Sequence, residues 1–486
     1  MQYLSTRDSA LRVSAQEAIV RGLAPQSGLF VPETFPQADL DAWKNLSYSE
    51  LAEKVLAGFL TDYSADFLHT ATASTYGAAF GGKAGETVKV RDGLYSLELW
   101  HGPTCAFKDY ALQLMPKLLV EAKKMLGRTE TTRILVATSG DTGKAALAGY
   151  ADLDGIEIEV FYPNDGTSEI QHLQMATQKG ENVQVYAVQG NFDDAQTGVK
   201  KVFADADVAV ELEKRGIRLS SANSINWGRL VPQIVYYFYA YFRLTEQGAV
   251  EWGKPVDFCV PTGNFGDILA GYYAKQMGLP VGRLVCASNK NNVLTDFLRT
   301  GTYDARRTFY KTTSPSMDIL ISSNLERLLY HVSGSSEKVA GWMQELSATG
   351  KYTVDAETLA KIQQSFAAGY ADDADGAAEI KARFDGDHYL CDTHTAVAFH
   401  VAAQKKRQGV PMVVLSTASP FKFPRSVLSA LGKAAPENDS EAMQQLEAAT
   451  GHAAPASLAA LRSKPERFDT VIAPAQIAEV ALGYQA

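Results

Sequence analysis

The sequence predicts an α/β fold with a mostly parallel sheet and helices on both faces, preceded by a helical N-terminal unit. Strand-like runs alternate with helix-like stretches through the middle of the chain, and similar runs recur later. The strand-like runs cover residues 134–138, 156–162, 183–188, 256–260, 284–287 and 412–415, and helix-like stretches near 144–151 and 168–178 separate the first three. Such alternation favours parallel pairing, because each helix returns the chain to the same end of the sheet.

Length, charge and hydropathy restrict the class of protein. The chain has 486 residues, of which 46% are hydrophobic, so two or three domains are expected. The net charge is −9, from 46 basic and 55 acidic residues, and predicts no surface for nucleic acid or an anionic membrane. The start lacks the apolar core of a signal peptide, and no run approaches the roughly 20 apolar residues of a membrane span. We therefore expect a soluble, cytoplasmic protein.

The four cysteines give no indication of a metal site. Cys105, Cys259, Cys286 and Cys391 are far apart and show neither CxxC nor Cys/His metal spacing. Reduced thiols are the simple interpretation, and no metal is predicted.

Residues 1–87 are expected to form a separate unit of helices and turns. Ser14 and Glu17 have the spacing of a capping box at the start of a helix. A hairpin then follows, in which residues 88–90 and 94–99 pair through a glycine-containing turn. This hairpin leads directly into the segment that carries the chemistry.

The later part of the chain also has helical patterns. The aromatic stretch 227–244 has helical spacing and is interpreted as core packing. Helices are expected at 335–347 and 356–370. The last fifty residues are expected to be helical and peripheral.

The lysine segment, residues 100–110 with the sequence WHGPTCAFKDY, puts Lys108 where a loop becomes a helix. The Gly-Pro pair sets a turn, and Thr104 and Asp109 can satisfy free backbone amides. Beside Phe107 the amine can lose water, which disfavours the ammonium form and lowers the pKa of the lysine. A lysine that forms a Schiff base near neutral pH needs this, although most lysines at helix starts are solvated surface residues.

The glycine loop, residues 263–267 with the sequence GNFGD, separates the strand 256–260 from a helical stretch. Glycines allow several backbone N–H groups to face one anion, and the helix dipole favours phosphate there. The pattern is neither the dinucleotide GxGxxG nor a P-loop, so NAD and ATP are not indicated. A phosphate cradle is predicted, and a tight turn without a ligand is the alternative.

The serine loop, residues 139–143 with the sequence SGDTG, follows the strand 134–138 and precedes a helix. Its hydroxyls and helix-start amides can hold a carboxylate or a phosphate, and a well-capped helix is the alternative. Ligands of α/β folds usually bind where strands end. Pyridoxal phosphate with an amino-acid substrate explains a special lysine, a phosphate cradle and a carboxylate site together.

Four motifs carry a resemblance to a known family. HGPTCAFKDY, SGDTG, GNFGD and STASPFKFP, in this order, closely resemble the motifs of the threonine synthase family. YLSTRD near the start and GLAPQSGLFVPE at 22–33 resemble the opening of the same family. The resemblance covers almost the whole chain and implies a fold type II, or tryptophan synthase β-like, enzyme. That fold has two mostly parallel-sheet α/β domains with the cofactor between them.

The resemblance also implies a division of the chain. The expected units are a helical N-terminal unit at 1–87, a large cofactor-binding domain from 88–108 and 223–435, a smaller α/β domain at 109–222, and a helical tail at 436–486.

The resemblance implies roles for particular residues. Lys108 links covalently to the cofactor, and Thr417 faces the pyridine nitrogen, where a hydroxyl favours elimination and replacement over transamination. The residues implied for the cofactor phosphate are Gly263, Asn264, Phe265, Gly266 and Asp267. The residues implied for the substrate carboxylate are Ser139, Gly140, Asp141 and Thr142.

The substrate phosphate has weaker candidates. Asn226 and Arg229 are proposed from charge and position, and Lys422 is comparable, while a surface ion pair remains the alternative for each. Two departures from the family pattern stand out: Cys105 replaces a larger apolar residue and Lys144 replaces a small one beside the carboxylate site. His394, in a recurrent family segment, is interpreted as structural. The sequence offers it no visible catalytic partner.

The activity that the resemblance implies is conversion of O-phospho-L-homoserine and water to L-threonine and phosphate. A pyridoxal-phosphate-dependent phospho-lyase and a threonine/serine dehydratase are alternatives with the same chemistry. A cofactor-free amino-acid-binding protein on the same scaffold is an alternative of another class. The partner is a small molecule, and the chain is expected to be a monomer or a homodimer.

Overall fold

The N-terminal unit combines helices with a small antiparallel sheet. A computed structural model describes residues 1–164 and 167–483. The first elements are β1 (Tyr3–Ser5), β2 (Asp8–Val13), α1 (Ala15–Arg21), β3 (Phe30–Pro32), α2 (Leu40–Trp43), α3 (Tyr48–Phe59) and α4 (Ala65–Tyr76). The strand order β2-β1-β3 differs from the expected helices and turns. These strands are short and β2 is largely exposed, so they lack the alternation that a sequence pattern requires.

A hairpin of two strands comes next in the chain, and the strand–helix repeats after it build a second sheet. The elements are β4 (Glu86–Arg91), β5 (Leu94–Glu98), α5 (Asp109–Leu112), α6 (Met115–Met125), β6 (Thr131–Ala137), α7 (Asp141–Tyr150), β7 (Ile156–Pro163), α8 (Glu169–Ala176), β8 (Val183–Val188), α9 (Phe192–Ala204), α10 (Ala206–Lys214) and β9 (Ile217–Ser220). β6 pairs in parallel with β7 and β9, and β7 pairs in parallel with β8. The alternation therefore forms a parallel sheet, as predicted.

The aromatic stretch 227–244 is not one continuous helix. It forms α11 (Trp227–Leu230), a 3₁₀ turn at Val231–Gln233 and then α12 (Ile234–Glu246). Pro232 lacks the backbone N–H that a continuous α-helix needs, so the helix is interrupted there. The aromatic side chains of α12 are mostly buried, as the spacing predicted.

The large sheet combines the hairpin of β4 and β5 with four strands from the C-terminal half. Its region contains β10 (Val256–Pro261), α13 (Gly266–Gln276), β11 (Val281–Ser288), α14 (Val293–Thr300), β12 (Thr302–Asp304), α15 (Leu325–Ser333), α16 (Ser336–Thr349), β13 (Lys351–Thr353), α17 (Ala356–Ser365), β14 (Phe366–Tyr370), α18 (Asp373–Asp387), α19 (Thr393–Lys405), β15 (Met412–Ser416) and α20 (Pro424–Ala430). The strand order is β14-β11-β10-β15-β5-β4, and pairing is parallel except between β4 and β5. Together with the second sheet, this confirms the predicted α/β class.

The helix expected at 356–370 is too long. The structure ends α17 at Ser365, and the next five residues form β14, an edge strand parallel to β11. Phe366 and Ala368 are buried in this strand. Pairing with β11 therefore overrides the local helical pattern. A short sequence window contains no information about this distant pairing partner.

The C-terminal segment also contains a strand that the helical expectation missed. Its elements are α21 (Asp439–Thr450), α22 (Ala456–Ala459), β16 (Val471–Ile472) and α23 (Ile477–Ala481). β16 pairs in parallel with β8 and completes the order β16-β8-β7-β6-β9 of the second sheet. A strand this short has no recognisable periodicity, so only its partner identifies it.

The large sheet is covered on two faces. Phe258 and Val260 pack in the same core as α12 and α13, whereas Cys259 and Val285 pack in the core that contains α19. Successive strand residues point to opposite faces, so β10 is buried on both. None of the helices within residues 1–164 and 167–483 is long and apolar enough to cross a membrane.

A close contact between two helices leads to a stability prediction. Gly149 of α7 approaches α5 so closely that a Cβ would lie 1.9 Å from the carbonyl oxygen of Leu112. Gly149→Ala should force the helices apart and lower the free energy of unfolding by on the order of 1–3 kcal/mol. The urea unfolding midpoint measures this effect.

Gly341 in α16 is the matched control. A Cβ there meets no atom within 4 Å, so Gly341→Ala should raise stability by roughly 0.5–1 kcal/mol. Equal effects of the two substitutions would contradict the close contact.

Candidate active site

The predicted loops meet at one edge of the large sheet. β5, β15 and β10 are neighbours and parallel, so their carboxyl ends lie side by side. The lysine segment follows β5, Thr417 follows β15, and the glycine loop follows β10. The serine loop follows β6 of the second sheet, and Asp141 brings it to within 3.8 Å of Nζ of Lys108.

Backbone hydrogen bonds fasten the lysine segment to the end of β15. The N–H of Phe107 donates to the carbonyl of Thr417 at 2.8 Å, and the N–H of Ser419 donates to the carbonyl of Cys105 at 3.1 Å. Between them, Ala106 forms an isolated β-bridge. Lys108 is the N-cap residue of α5, so the predicted transition from loop to helix is present.

Asp109 organises the turn before the lysine. It accepts hydrogen bonds from the N–H of Thr104 at 2.8 Å, from Oγ1 of Thr104 at 2.7 Å and from Nε2 of Gln113 at 3.1 Å. A Cβ on Gly102 would lie 2.5 Å from Oδ2 of Asp109, which explains the glycine. Burial raises the pKa of Asp109 to about 6. This carboxyl group holds the turn together, and the turn fixes the position of Lys108 at the start of α5.

The Lys108 amine is removed from water. Its side chain is 11% exposed, and Nζ lies 5.2 Å from the ring centroid of Phe107. Burial lowers the pKa of Lys108 to about 8, and Lys422 and Arg229 act in the same direction while Asp141 opposes them. A neutral amine is therefore accessible near neutral pH, as the sequence predicted.

The glycine loop forms a close-fitting turn at the start of α13. Phe265 adopts a left-handed conformation, with φ of +63°. A Cβ on Gly263 would lie 2.8 Å from the carbonyl oxygen of Ser316, and Oγ of Ser322 donates to the carbonyl of Gly263 at 2.8 Å. Gly266 then begins α13, whose first-turn amides have no intrahelical acceptor. Such a turn suits a phosphate.

Asp267, in the first turn of α13, is buried beside two phenols. Its Oδ1 accepts hydrogen bonds from the hydroxyls of Tyr236 at 2.6 Å and Tyr237 at 3.1 Å, while its Oδ2 is buried without a partner. Burial raises the pKa of Asp267 to about 7, although both phenols and Lys108 act in the opposite direction. The carboxyl can therefore carry a proton near neutral pH, which is the state suited to contact with an anion.

The serine loop is shaped by Thr138. Its Oγ1 accepts hydrogen bonds from the N–H groups of Gly140 and Gly143, both at 3.0 Å. Gly140 has φ of +140°, and a Cβ there would lie 2.4 Å from the side chain of Gln171. Ser139 and Thr142 are partly exposed, at the N-terminus of α7. Free first-turn amides and hydroxyls at this helix start suit a carboxylate.

The side chain of Asp141 does not have the environment that a carboxylate-binding residue needs. Its Oδ1 lies 2.6 Å from Nζ of Lys422 and accepts a hydrogen bond from Nε2 of Gln171 at 2.9 Å. Burial opposes its ionisation, but Lys422 and Lys108 outweigh burial and hold the pKa of Asp141 well below its usual range. An ionised carboxylate repels a second one, so only the backbone N–H of Asp141 is suited to the predicted role.

The two residues predicted for the substrate phosphate differ in the structure. Both polar groups of the Asn226 side chain are engaged: Nδ2 donates to the carbonyl of Ile19 at 2.9 Å, and Oδ1 caps α11 through the N–H of Gly228 at 2.9 Å. The guanidinium of Arg229 is buried, donates to the carbonyl of Ala222, and has an Nε without a partner. Among the described residues no carboxylate lies within 4 Å of it. Arg229 is therefore a buried cation that has no carboxylate partner within residues 1–164 and 167–483.

His394 has a structural environment, in agreement with its interpretation. Its Nδ1 lies 2.7 Å from Oδ2 of Asp392, and its Nε2 accepts a hydrogen bond from the N–H of Ser316 at 3.1 Å. The carbonyl of Ser316 is the atom that approaches Gly263. His394 thus supports the backbone that borders the glycine loop.

The two residues that depart from the family pattern have partners in other segments of the chain. Nζ of Lys144 donates to Oε1 of Gln178 at 2.5 Å, beyond the end of α8, and burial lowers the pKa of Lys144 to about 8. Sγ of Cys105 lies 3.2 Å from Oγ of Ser457, and burial raises the pKa of Cys105 to about 11. Lys144 is therefore bound to Gln178, and its effect on the predicted carboxylate site stays a prediction.

Some residues of the site were not identified from the sequence. Gln171 packs against Gly140 and binds Asp141, and its three-residue spacing from Ser168 was a visible capping signal. Tyr236 and Tyr237 were hidden within an apolar aromatic stretch, where a hydroxyl group gives no pattern of its own. Within the described residues there is no cluster of His, Cys, Asp and Glu suited to a metal ion.

The fold and the buried lysine agree with a large enzyme class. Residues 84–417 match the family model for pyridoxal-phosphate dependent enzymes, and these residues include the strands of the large sheet, β6 to β9 of the second sheet, the lysine segment and the serine and glycine loops. The protein is therefore a member of the pyridoxal-phosphate-dependent enzymes. Within that class the chain belongs to the threonine synthase family, since residues 2–76 match the threonine synthase N terminus and residues 395–481 match the threonine synthase C-terminal model.

Individual relatives support this membership. A threonine synthase of Pseudomonas aeruginosa is 40% identical over 88% of this chain and 90% of its own length. A crystal structure described as PLP-bound threonine synthase from Brucella melitensis is 38% identical, with a TM-score of 0.89 over 100% of this chain and 99% of that chain. Human threonine synthase-like 1 is 39% identical over 88% of this chain. The chain spans about 60% of the length of the threonine synthase-like 1 proteins that it matches.

The raised pKa of Asp267 leads to a pH prediction. The folded state holds this proton more tightly than the unfolded state, so Asp267 lowers stability progressively as the pH rises from about 4 to about 7. Asp267→Asn has no such titration. The free energy of unfolding of this variant, measured in urea relative to the parent chain, should therefore rise across this window. The expected rise is on the order of 1 kcal/mol per pH unit.

Asp304→Asn provides the comparison. Asp304 is a partly exposed carboxylate whose pKa is lowered by Arg306, so its replacement should give no relative gain in stability with pH. A pH-independent difference between Asp267→Asn and the parent chain would show that the carboxyl is not held protonated.

Proposed function

We propose that this protein is a threonine synthase that converts O-phospho-L-homoserine and water to L-threonine and phosphate with pyridoxal phosphate. The observation that carries the proposal is a buried lysine amine at the junction of two anion-suited loops. Lys108 carries the amine, and the two loops are the glycine loop at the start of α13 and the serine loop at the start of α7. A cofactor phosphate and a substrate carboxylate account for both loops at once.

The residues present fit the cofactor. The amine of Lys108 has the lowered pKa that attack on an aldehyde requires. Gly263, Asn264, Phe265 and Gly266 would hold the phosphate at the start of α13. Asp267 would contribute through its unpartnered Oδ2 when protonated. Thr417, buried directly after β15, is proposed as the hydroxyl residue that faces the pyridine nitrogen.

The substrate would be held at both ends. Ser139, Gly140 and Thr142 and the N–H of Asp141 are proposed for the carboxylate. Arg229 is proposed for the phosphate, because a buried guanidinium without a counter-ion is costly unless an anion joins it.

The side chain of Asn226 is committed to Ile19 and Gly228. Its contribution to phosphate binding stays a prediction that these contacts do not support. Lys422 is likewise engaged by Asp141 and Thr104.

The reaction requires repeated proton transfer by one group. Pyridoxal phosphate, when bound, supplies an electron sink for negative charge at Cα of an amino acid. The Lys108 amine is the base proposed for the protons at Cα and Cβ, because its lowered pKa of about 8 makes the neutral form accessible near neutral pH. The C–O bond at Cγ then breaks, and Arg229 pairs with the departing phosphate. A proton delivered to Cγ, water added at Cβ and a proton returned to Cα complete threonine.

The product distinguishes this activity from its alternatives. Purified chain supplied with pyridoxal phosphate and O-phospho-L-homoserine should release threonine and phosphate in equal amounts, measured by chromatography and a phosphate assay. A phospho-lyase would instead release phosphate with 2-oxobutyrate and ammonia, a dehydratase would act on threonine or serine, and a binding protein would remain colourless. Lys108→Ala should lose both turnover and the visible absorption of the bound cofactor, and full turnover by this variant would refute the assignment.

The role of Arg229 can be tested separately. Arg229→Met keeps the length of the side chain but removes its charge, so the KM for the phosphorylated substrate should rise by about 10- to 100-fold, the loss of one charged hydrogen-bonding group. Inhibition by inorganic phosphate should weaken in parallel. Arg229→Lys is the matched control and should recover part of the affinity. An unchanged KM in Arg229→Met would remove Arg229 from the phosphate site.

Location and assembly are further proposals. All four cysteines are buried and unpaired, which supports a reducing, cytoplasmic environment. We propose a monomer or a homodimer, which sedimentation of the purified chain distinguishes.

A further inference from the structure

The carboxylate of Asp141 lies between two lysine amines. Its Oδ1 is 2.6 Å from Nζ of Lys422, and its Oδ2 is 3.8 Å from Nζ of Lys108. The side chains of Lys422 and Asp141 are 0% and 3% exposed, so neither is screened by water. The two oxygens of one carboxylate are thus divided between a lysine proposed for chemistry and a lysine with no assigned role.

We propose that Asp141 is a positioning residue for the amine of Lys108, and that Lys422 limits the attraction that Asp141 exerts on this amine. The inference rests on the proposed function, in which Lys108 must be neutral to accept a proton and cationic after accepting it. Asp141 stabilises the cationic form and directs the amine, whereas Lys422 prevents that form from becoming permanent. Neither residue needs to touch the substrate through its side chain.

The surroundings of Asp141 support this assignment. Gln171 Nε2 donates to Oδ1 at 2.9 Å and fixes the orientation of the carboxylate. The close contact with Lys422 keeps Asp141 ionised, because a buried carboxylate without a cation would take up a proton. An ionised side chain in this orientation cannot serve as a ligand for a substrate carboxylate.

The surroundings of Lys422 hold its amine beside Asp141. Besides Asp141, its Nζ donates to the carbonyl of Thr104 at 3.2 Å. Both contacts are buried, and Lys422 lies in the 3₁₀ turn Pro420–Lys422 that follows β15. It is therefore built into the site as a fixed charge beside Asp141.

The charges that act on Lys108 come from several elements. Asp141 of α7 raises the pKa of Lys108, and Lys422 and Arg229 of α11 lower it. Asp267 of α13 is close enough for Lys108 to influence its pKa in turn. Of these groups, only Asp141 and Lys422 are in direct contact with each other. Removing one of them should therefore shift the titration of Lys108 in the direction opposite to removing the other.

Competitive labelling tests this crossed expectation. Full-length chain freed of cofactor is labelled with a trace of acetic anhydride at a series of pH values, and acetylation of Lys108 is followed by mass spectrometry. Asp141→Asn should lower the pKa of the Lys108 amine by about 1 unit, because it removes the nearby anion. Lys422→Met should raise it by a similar amount, because all of the attraction of Asp141 is then available to Lys108. Lys275, labelled in the same samples, should be unchanged.

A double variant keeps the experiment interpretable. Each single substitution leaves a buried charge without a partner and can reduce stability, whereas Asp141→Asn with Lys422→Met removes the pair together. The double variant should give a pKa of Lys108 close to that of the parent chain, because the two opposite shifts offset each other. Shifts in the same direction for both single variants, or a pKa in the double variant that lies outside the range set by the two single variants, would overturn the proposal.

The holoenzyme provides a second measurement. The pH profile of solvent-deuterium exchange at Cα of the substrate, followed by NMR, should move to lower pH in Asp141→Asn and to higher pH in Lys422→Met. Labelling of Lys108 does not depend on which product is formed. If no threonine is formed but the two single variants shift the pKa of Lys108 in opposite directions, the proposed activity is rejected and the roles of Asp141 and Lys422 are retained.

Discussion

Parallel pairing of β15 with both β10 and β5 is the constraint on which the site depends. It puts the ends of the three strands at one edge, where each contributes a different part: the lysine segment, Thr417 and the glycine loop. The backbone hydrogen bond from Phe107 to Thr417 then fixes the lysine segment relative to β15. Because backbone groups hold this arrangement, side chains remain free for chemistry, as is usual at the carboxyl edge of α/β sheets.

The electrostatic balance of the site supports the proposal that it binds anions. Lys108, Lys422 and Arg229 are cations, against the single strongly ionised carboxylate of Asp141 and a carboxyl of Asp267 whose pKa is about 7. Burial of these charges makes each interaction stronger than it would be in water. Arg229 without a counter-ion is costly in the protein alone, and a phosphate would remove that cost. The same burial that lowers the pKa of Lys108 thus strengthens the attraction of the site for the anionic ligands proposed above.

The site also connects the two α/β units. Asp141 and Gln171 belong to helices that pack on the second sheet, whereas Lys422 follows the last strand of the large sheet. The carbonyl of Thr104 accepts hydrogen bonds from both sides, from Lys422 at 3.2 Å and from Gln174 at 3.1 Å. Any movement of one unit relative to the other must change the distances around Asp141. The environment of Lys108 therefore depends on the relative position of the two sheets.

The sequence alone determined the α/β class, the lysine segment, both anion-suited loops and, through its motifs, the family. These features depend on local order: strand–helix alternation, the glycines of the loops and the residues at helix starts are all visible within short windows. Positions such as β14 and β16 were missed, because their strands exist only through pairing with β11 and β8. The tertiary structure alone decided which polar groups face each other. It paired Asp141 with Lys422 and gave Arg229 no carboxylate partner in the part of the chain that the structure describes. Such contacts join residues far apart in the chain and have no periodicity that a sequence can display.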